Sequence, residues 1–480
     1  MTLPDAVPTR LFIGGDWCDG GDGAFAVLDP STGEQICEVA RAAARDVSAA
    51  ISAAADAQPA WAATAPRERG EVLRAAFELM RSRSEELAYL MSLEMGKSPA
   101  DARGEVAYAA EFFRWFSEEA VRIDGALRTA PSGANRILTF RRPVGVALLL
   151  TPWNFPAAMA TRKIGPALAA GCTVVLKPAE DTPLTALLVA KLLAEAGAPA
   201  GTVNVVTTDR PGELVTQALG DPRVRKLSFT GSTGVGRTLL RQAADRIVNT
   251  SLELGGNDPF IVLDDADLDA AVDGAMVAKM RNGGQACTAA NRFLVAESVA
   301  QDFAARLSRR MGALRMGPAT DENTQLGPMI NRRAVEGIAD KVERTLGAGA
   351  TAVLGGRRHD GPGFFYPATV LTGVPRDSAA ATEEVFGPVA PIVPVKDERE
   401  ALEIANNTEM GLTGYVYTSD LARGLRVCES LEVGMVGLNR GLVSDPSAPF
   451  GGVKQSGLGR EGGYEGIDAY LETTYVATSW

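Results

Sequence analysis

The stretch VGVALLLTPWNFPAAMATRKIGPALAAGCTVVL, residues 144–176, decides the fold class. Residues 144–150 are an apolar run of strand length, residues 156–170 carry a helical pattern, and residues 173–176 are apolar again. The alternation continues toward the C-terminus. Thr182 is placed to cap a helix that begins at Pro183 and stops at Gly197, and strand-like runs follow at 203–206, 226–229 and 248–253. Strand alternating with helix predicts an α/β fold built on a parallel sheet covered on both faces, an architecture that places ligands at the carboxyl ends of its strands.

On the N-terminal side, residues 46–123 read as helical. Pro66 suits a first turn, apolar Val72, Leu73, Ala76, Leu79 and Met80 recur behind it, and Gly96 can end it. On the C-terminal side a second alternating block spans 260–450, with helices expected at 268–282, 300–314 and 333–348 and a strand at 413–417. Two α/β domains are therefore expected. The tail carries Tyr470, Leu471, Tyr475, Val476 and Trp480, an apolar density that an isolated end could not hide from water, so it is expected to pack on another subunit.

A chain of 480 residues, 46% hydrophobic, is long enough for two or three domains. Its net charge of −11 repels a phosphate backbone or an anionic membrane, so neither nucleic acid nor membrane is an expected partner. Residues 1–10 lack the apolar segment of a secretory leader, and no run of about 18 apolar residues occurs. A cytoplasmic location is expected. Cys18, Cys37, Cys172, Cys287 and Cys428 are scattered and never paired as C-x-x-C, so neither a disulfide framework nor a metal site is expected. His359 is the only histidine and lies in the polar run 355–361, which reads as a surface loop. Ser-His-Asp and Cys-His catalysis are thereby excluded, and any general base must be a carboxylate.

Several motifs carry chemistry. Asn282-Gly-Gly-Gln-Ala-Cys287 sets a cysteine among glycines just after a helix, where backbone can approach a ligand; the plainer alternative is a buried structural cysteine. Ser251-Leu-Glu-Leu-Gly-Gly-Asn257 ends an apolar strand on Glu253, a carboxylate costly to bury without a task or a partner. Asn154 follows the strand at 144–150, where an amide can donate to an oxyanion or simply make a turn. Phe229-Thr-Gly-Ser-Thr-Gly-Val-Gly236 links a strand to a helix expected over 235–244, and is equally a pyrophosphate cradle or a glycine-rich turn. Gly457-Leu-Gly-Arg-Glu-Gly462 has dinucleotide spacing but too little chain after it, and is set aside as a phosphate site.

In the order Pro-Trp-Asn, Lys-Pro-Ala, Phe-Thr-Gly-Ser, Glu-Leu-Gly-Gly, Gly-Gln-x-Cys, Glu-Glu-Val-Phe-Gly-Pro, these pieces resemble the aldehyde dehydrogenase superfamily over essentially the whole chain. TPWNFPAAMATRK, RKLSFTGST, RNGGQACTAANR and APFGGVKQSGLGREG are most similar to its succinate-semialdehyde dehydrogenase branch. The resemblance implies a Rossmann-type dinucleotide-binding domain (1–122 and 144–255), a catalytic α/β domain (256–452) and a small β oligomerisation element (123–143 and 453–480), assembled as a homodimer or homotetramer. It implies that Cys287 is the nucleophile, Glu253 the base and Asn154 the oxyanion donor, with Lys177 also counted in the catalytic set. A base at Glu253 implies hydrolysis to the free acid rather than acyl transfer to CoA.

For the dinucleotide, the resemblance implies Trp153, Lys177, Glu180, Gly231, Ser232, Leu254, Glu384 and Phe386. NADP-using members of the branch commonly carry Ser where Glu180 stands, and a carboxylate there would meet a 2′-phosphate as a like charge. NAD is the expected cofactor, with NADP possible. For the substrate it implies that Arg162, Arg281 and Ser444 hold the distal carboxylate of a small aldehyde; the plainer alternatives are a solvated helix face for Arg162 and a helix-end cation for Arg281. Succinate semialdehyde leads, followed by 2-oxoglutarate and glutarate semialdehydes. The remote alternative is a non-catalytic structural protein reusing the fold.

Overall fold

Side chains alternate across a strand, so a run that is apolar throughout must face two cores. Strands Val146–Leu150 and Thr173–Lys177 pair in parallel and do this. Ala147, Leu149, Val174 and Leu176 enter one cluster, whereas Val146, Leu148, Leu150 and Val175 enter another on the opposite face. The computed structural model describes residues 3, 4 and 6–480. Met1, Thr2 and Asp5, part of the stretch read as leaderless and of the first expected domain, lie outside the described residues.

The first sheet has eight strands in the order Gly457–Leu458, Asn249–Glu253, Val224–Thr230, Val146–Leu150, Thr173–Lys177, Val203–Val205, Leu11–Ile13, Asp16–Cys18. The central five run parallel. The chain enters at Val146–Leu150, winds outward to Val203–Val205, then returns to lay down Val224–Thr230 on the other side of its starting strand. Such a reversal opens a crevice at the carboxyl edge. Register aligns that edge: Leu150 lies opposite Lys177 and Phe229, and Thr230 opposite Glu253.

The second sheet orders Thr351–Leu354, Thr369–Thr372, Val389–Val395, Arg292–Ala296, Pro259–Val262, Thr413–Tyr417, Met435–Leu438, and all but its first pairing are parallel. It too is covered on both faces, Ile261 facing one core and Phe260 and Val262 the other. A third, antiparallel sheet joins Leu471–Thr478 to Arg136–Pro143 and then to Ala126–Thr129. The tail thus pairs first with its own chain.

Local differences from expectation have physical causes. The helical lead-in breaks at Arg83 into Pro66–Ser82 and Ser84–Met95, the latter ended by Gly96 at φ 87°. Thr182 does not cap helix Pro183–Glu195; its hydroxyl donates to Trp153 O, and the buried Glu94 carboxylate accepts from Leu184 N and Thr185 N at 2.8 Å each. A charged acceptor at a helix N-terminus outcompetes a neutral one. Gly457–Leu458 joins the edge of the first sheet, away from the tail sheet with which it had been grouped.

Candidate active site between two sheets

The first sheet offers the crevice its carboxyl edge: Asn154, Lys177, Gly231, Ser232 and Glu253 all follow or end its strands. The second sheet meets it with segments that lead into strands. Gly256 precedes Pro259–Val262, Cys287 precedes Arg292–Ala296, and Glu384 precedes Val389–Val395. The carboxyl-end expectation therefore describes the first sheet and not the second.

Helix Leu268–Met280 stops at Arg281, and Asn282, Gly283 and Gly284 then take φ values of 54°, 61° and 76°. A Cβ on Gly284 would lie 2.2 Å from Gly387 O, so only glycine permits this reversal. The reversal is pinned to the first sheet. Asn154 Nδ2 donates to Gln285 O (3.0 Å), Asn282 Nδ2 donates to Asn154 O (2.9 Å), and Ile330 N donates to Gln285 Oε1 (2.9 Å). Asn154 O also accepts from Lys97 Nζ at 2.9 Å. Lys97 is ion-paired in the interior with Glu105, whose other oxygen accepts from Ala157 N and Ala158 N in the first turn of helix Pro156–Ala170. An amide nitrogen carries two hydrogens. Asn154 keeps one for a ligand.

Cys287 is partly exposed, yet burial pushes its thiol up to about 12; Arg162 pulls it down, while Glu253, Asp258 and Glu384 add to the rise. Arg162 is the cation that favours its thiolate. Glu253 ends its strand almost fully buried, with Oε2 unpartnered. Burial first, then the neighbouring Glu461 carboxylate, raise it well above the ordinary range, against Arg162 and Lys163. Gly451 leaves it room, since a Cβ there would lie 2.8 Å from Glu253 Oε1.

Arg162 is not on a solvated face. Every residue of helix Pro156–Ala170 is buried, and Arg162 Nε lies 2.5 Å from Glu461 Oε2 with the Phe450 ring centroid 4.1 Å from its guanidinium carbon. Lys163 Nζ holds the other Glu461 oxygen at 2.5 Å and Ser228 Oγ at 2.9 Å. Burial works against the Glu461 charge, but Lys163 and Arg162 overcome it and hold the carboxyl below its usual range. Arg281 differs: its guanidinium sits 4.8 Å from the Phe155 ring centroid and 5.7 Å from that of Tyr108, its charge favours the ionised form of Asp101 against the larger effect of burial, and among the described residues no carboxylate lies within ion-pair distance of it. Ser444 bonds neither arginine; it lines a surface cavity of about 430 Å³ together with Phe450.

The residues implied for a dinucleotide converge on the same crevice. Ser232 caps helix Thr233–Ala244, so the free N–H groups of its first turn face the crevice, a site suited to pyrophosphate. The loop is tightly built: a Cβ on Gly231 would strike the Phe229 ring, and one on Gly236 would lie 2.7 Å from Leu254. Gly231 N donates to Glu253 O (3.0 Å), which couples this loop to Glu253. Buried Lys177 Nζ donates to Glu180 Oε2 at 3.0 Å, and Glu180 is 46% exposed. Glu384 accepts weakly from Gly256 N at 3.4 Å, and burial pushes it to about 7. Trp153 and Phe386 meet edge to face, 5.5 Å between centroids. A lysine–glutamate pair, a helix N-terminus and an aromatic wall are chemistry suited to the riboses, pyrophosphate and ring of a nicotinamide dinucleotide.

Lys97, Glu105 and Glu461 escaped the sequence reading. Glu461 lies inside the Gly457–Gly462 motif set aside as a phosphate loop, and a carboxylate among glycines there was its one signal.

Comparison with known proteins places the chain in a family. Residues 17–476 match the aldehyde dehydrogenase family. The chain is 56% identical over 441 residues, covering 92% of this chain and 98% of the other, to a succinate-semialdehyde dehydrogenase of Paenarthrobacter nicotinovorans. It is 48% identical to a glutarate-semialdehyde dehydrogenase of Pseudomonas putida, with both chains covered completely. Among solved structures, an E. coli NADP-dependent enzyme superposes with a TM-score of 0.98 at 46% identity, again over the whole of both chains. A match that runs from residue 17 to residue 476 takes in the five parallel strands of the first sheet and the whole of the second, and the chain belongs to the aldehyde dehydrogenase family.

Proposed function

We propose that the chain oxidises a short aldehyde bearing a distal carboxylate to the free acid, succinate semialdehyde to succinate in the first instance, with 2-oxoglutarate and glutarate semialdehydes as the nearest alternatives. The observation that carries this is Arg281, a cation without a carboxylate partner at the catalytic loop, with a second arginine, Arg162, nearby. Relatives named for the C4 and C5 semialdehydes support the same substrate class.

In this reading Cys287 gives its proton to solvent water and its sulfur adds to the aldehyde carbon, giving a thiohemiacetal. Asn154 Nδ2 and the Cys287 backbone N–H meet the oxyanion. The chemistry supplied by the bound nicotinamide is acceptance of the hydride lost when the thiohemiacetal becomes a thioester. Glu253 then takes a proton from water, the hydroxide adds to the thioester, and the acid leaves with the Cys287 thiolate restored. Burial beside Leu252 and Leu254 raises the basicity that this step uses.

NAD is the preferred cofactor in this reading, because Glu180 would oppose a 2′-phosphate. The E. coli structure described as NADP-dependent makes this a preference to be measured. The third sheet, with Leu127, Tyr475 and Trp480 exposed at 60%, 56% and 76%, is the proposed homo-oligomer surface. A cytoplasmic location is proposed from the absence of paired cysteines; among the described residues no helix is long and apolar enough to cross a membrane.

The test is kcat/KM for succinate semialdehyde, glutarate semialdehyde and butanal, each with NAD and with NADP. Succinate semialdehyde with NAD is expected to lead. A preference for butanal would sink the carboxylate-binding reading.

A further inference from the structure

Helix Pro99–Glu119 places Tyr108 one turn after Glu105, the carboxylate that anchors helix Pro156–Ala170. Its ring is held edge-on by Phe112, 4.9 Å between centroids, and lies beside the Arg281 guanidinium at 5.7 Å. The phenol oxygen is buried and has no hydrogen-bond partner. Buried hydroxyls almost always find one. Burial outweighs the charges around this phenol: Arg162, which can also donate to the phenol oxygen, and Arg281 both favour its ionisation, and Cys287 opposes it. A guanidinium has no lone pair to offer, so neither arginine can accept the Tyr108 proton.

We propose that Tyr108 is a specificity-determining residue, its hydroxyl donating to the distal carboxylate of the substrate while Arg281 supplies the charge. This rests on the carboxylated-aldehyde reading above and redistributes its parts. Arg162 is already neutralised by Glu461, whereas the adjacent Arg281 has no carboxylate within ion-pair distance among the described residues and the Tyr108 proton has no acceptor. A carboxylate has two oxygens, one for each. The donor would add selectivity as well as affinity, since a methyl terminus leaves the hydroxyl unpaired.

The experiment compares wild type with Tyr108→Phe, reading the ratio of kcat/KM for succinate semialdehyde to that for butanal, with KM and kcat separated. Wild-type preference for succinate semialdehyde is measured first, so a failure of the substrate reading is seen before the variant is made. The expected result is a fall in the ratio of about tenfold, carried by KM for the charged substrate. An unchanged ratio, whether or not both activities drop, overturns the proposal and leaves Tyr108 a packing residue.

Discussion

The two large sheets meet the same crevice with opposite ends. The first brings the carboxyl ends of Val146–Leu150, Thr173–Lys177, Val224–Thr230 and Asn249–Glu253, whereas the second brings the segments that lead into Arg292–Ala296 and Val389–Val395. Residues on the first sheet follow from winding order, because a reversed parallel sheet must open at its carboxyl edge. Residues on the second depend on individual backbone devices, such as the left-handed run at Asn282–Gly284 that turns the chain back toward Cys287. One half of the site is a property of topology and the other of a single loop.

The largest effect comes from the loop side. Cys287→Ala should lower NADH formation by about 10⁴-fold or more, read in a steady-state assay with both enzyme and cofactor in excess of background. Retained activity would move the nucleophile elsewhere and dissolve the comparison.

On the topological side, Glu461→Gln leaves Arg162 and Lys163 buried with their shared carboxylate gone. A loss of about 3–5 kcal/mol is expected, seen as a lower melting temperature. The same change removes a charge that raises Glu253. Glu253 acts when deprotonated, so a raised value postpones its activity to higher pH, and losing Glu461 should move the acidic limb of the kcat profile downward. An unmoved limb would mean that the two carboxylates do not communicate.

Smaller effects sharpen the division of labour. Arg281→Ala should raise KM for succinate semialdehyde by roughly thirtyfold, as expected for a lost charge-assisted bond, and leave thermal stability near that of wild type. Equal losses in stability for Arg281→Ala and Glu461→Gln would erase the distinction between committed and free cations. Glu180→Ser should shift the NADP-to-NAD ratio of kcat/KM upward by only about tenfold, because Glu180 is half exposed and solvent screens its charge.

Legibility followed the range of the interactions. Continuous apolar runs and their spacing exposed the parallel sheets, and Asn154 and Glu253 were visible as polar residues ending such runs. The strands Leu11–Ile13 and Asp16–Cys18 were not, since three-residue strands carry no usable period. Thr182 was misread as a cap because the true acceptor, Glu94, lies on another helix. Glu461 pairs with a lysine 298 positions away, and Lys97, though ion-paired eight positions on with Glu105, reaches the site through Asn154, 57 positions away; a single sequence shows no sign of either contact.

Lys163 and Glu461 stand 298 positions apart. At a synthesis rate of about 5–20 residues per second, the lysine and its neighbour Arg162 wait roughly 15 s to a minute before their counter-ion exists. During that interval helix Pro156–Ala170 can settle on the nascent sheet only by keeping two cations hydrated. Full pairing of that helix's two buried cations therefore waits for residue 461. A chain that stops short of residue 461 leaves Arg162 and Lys163 without their carboxylate, so the segment just after strand Gly457–Leu458 completes the charge balance of helix Pro156–Ala170.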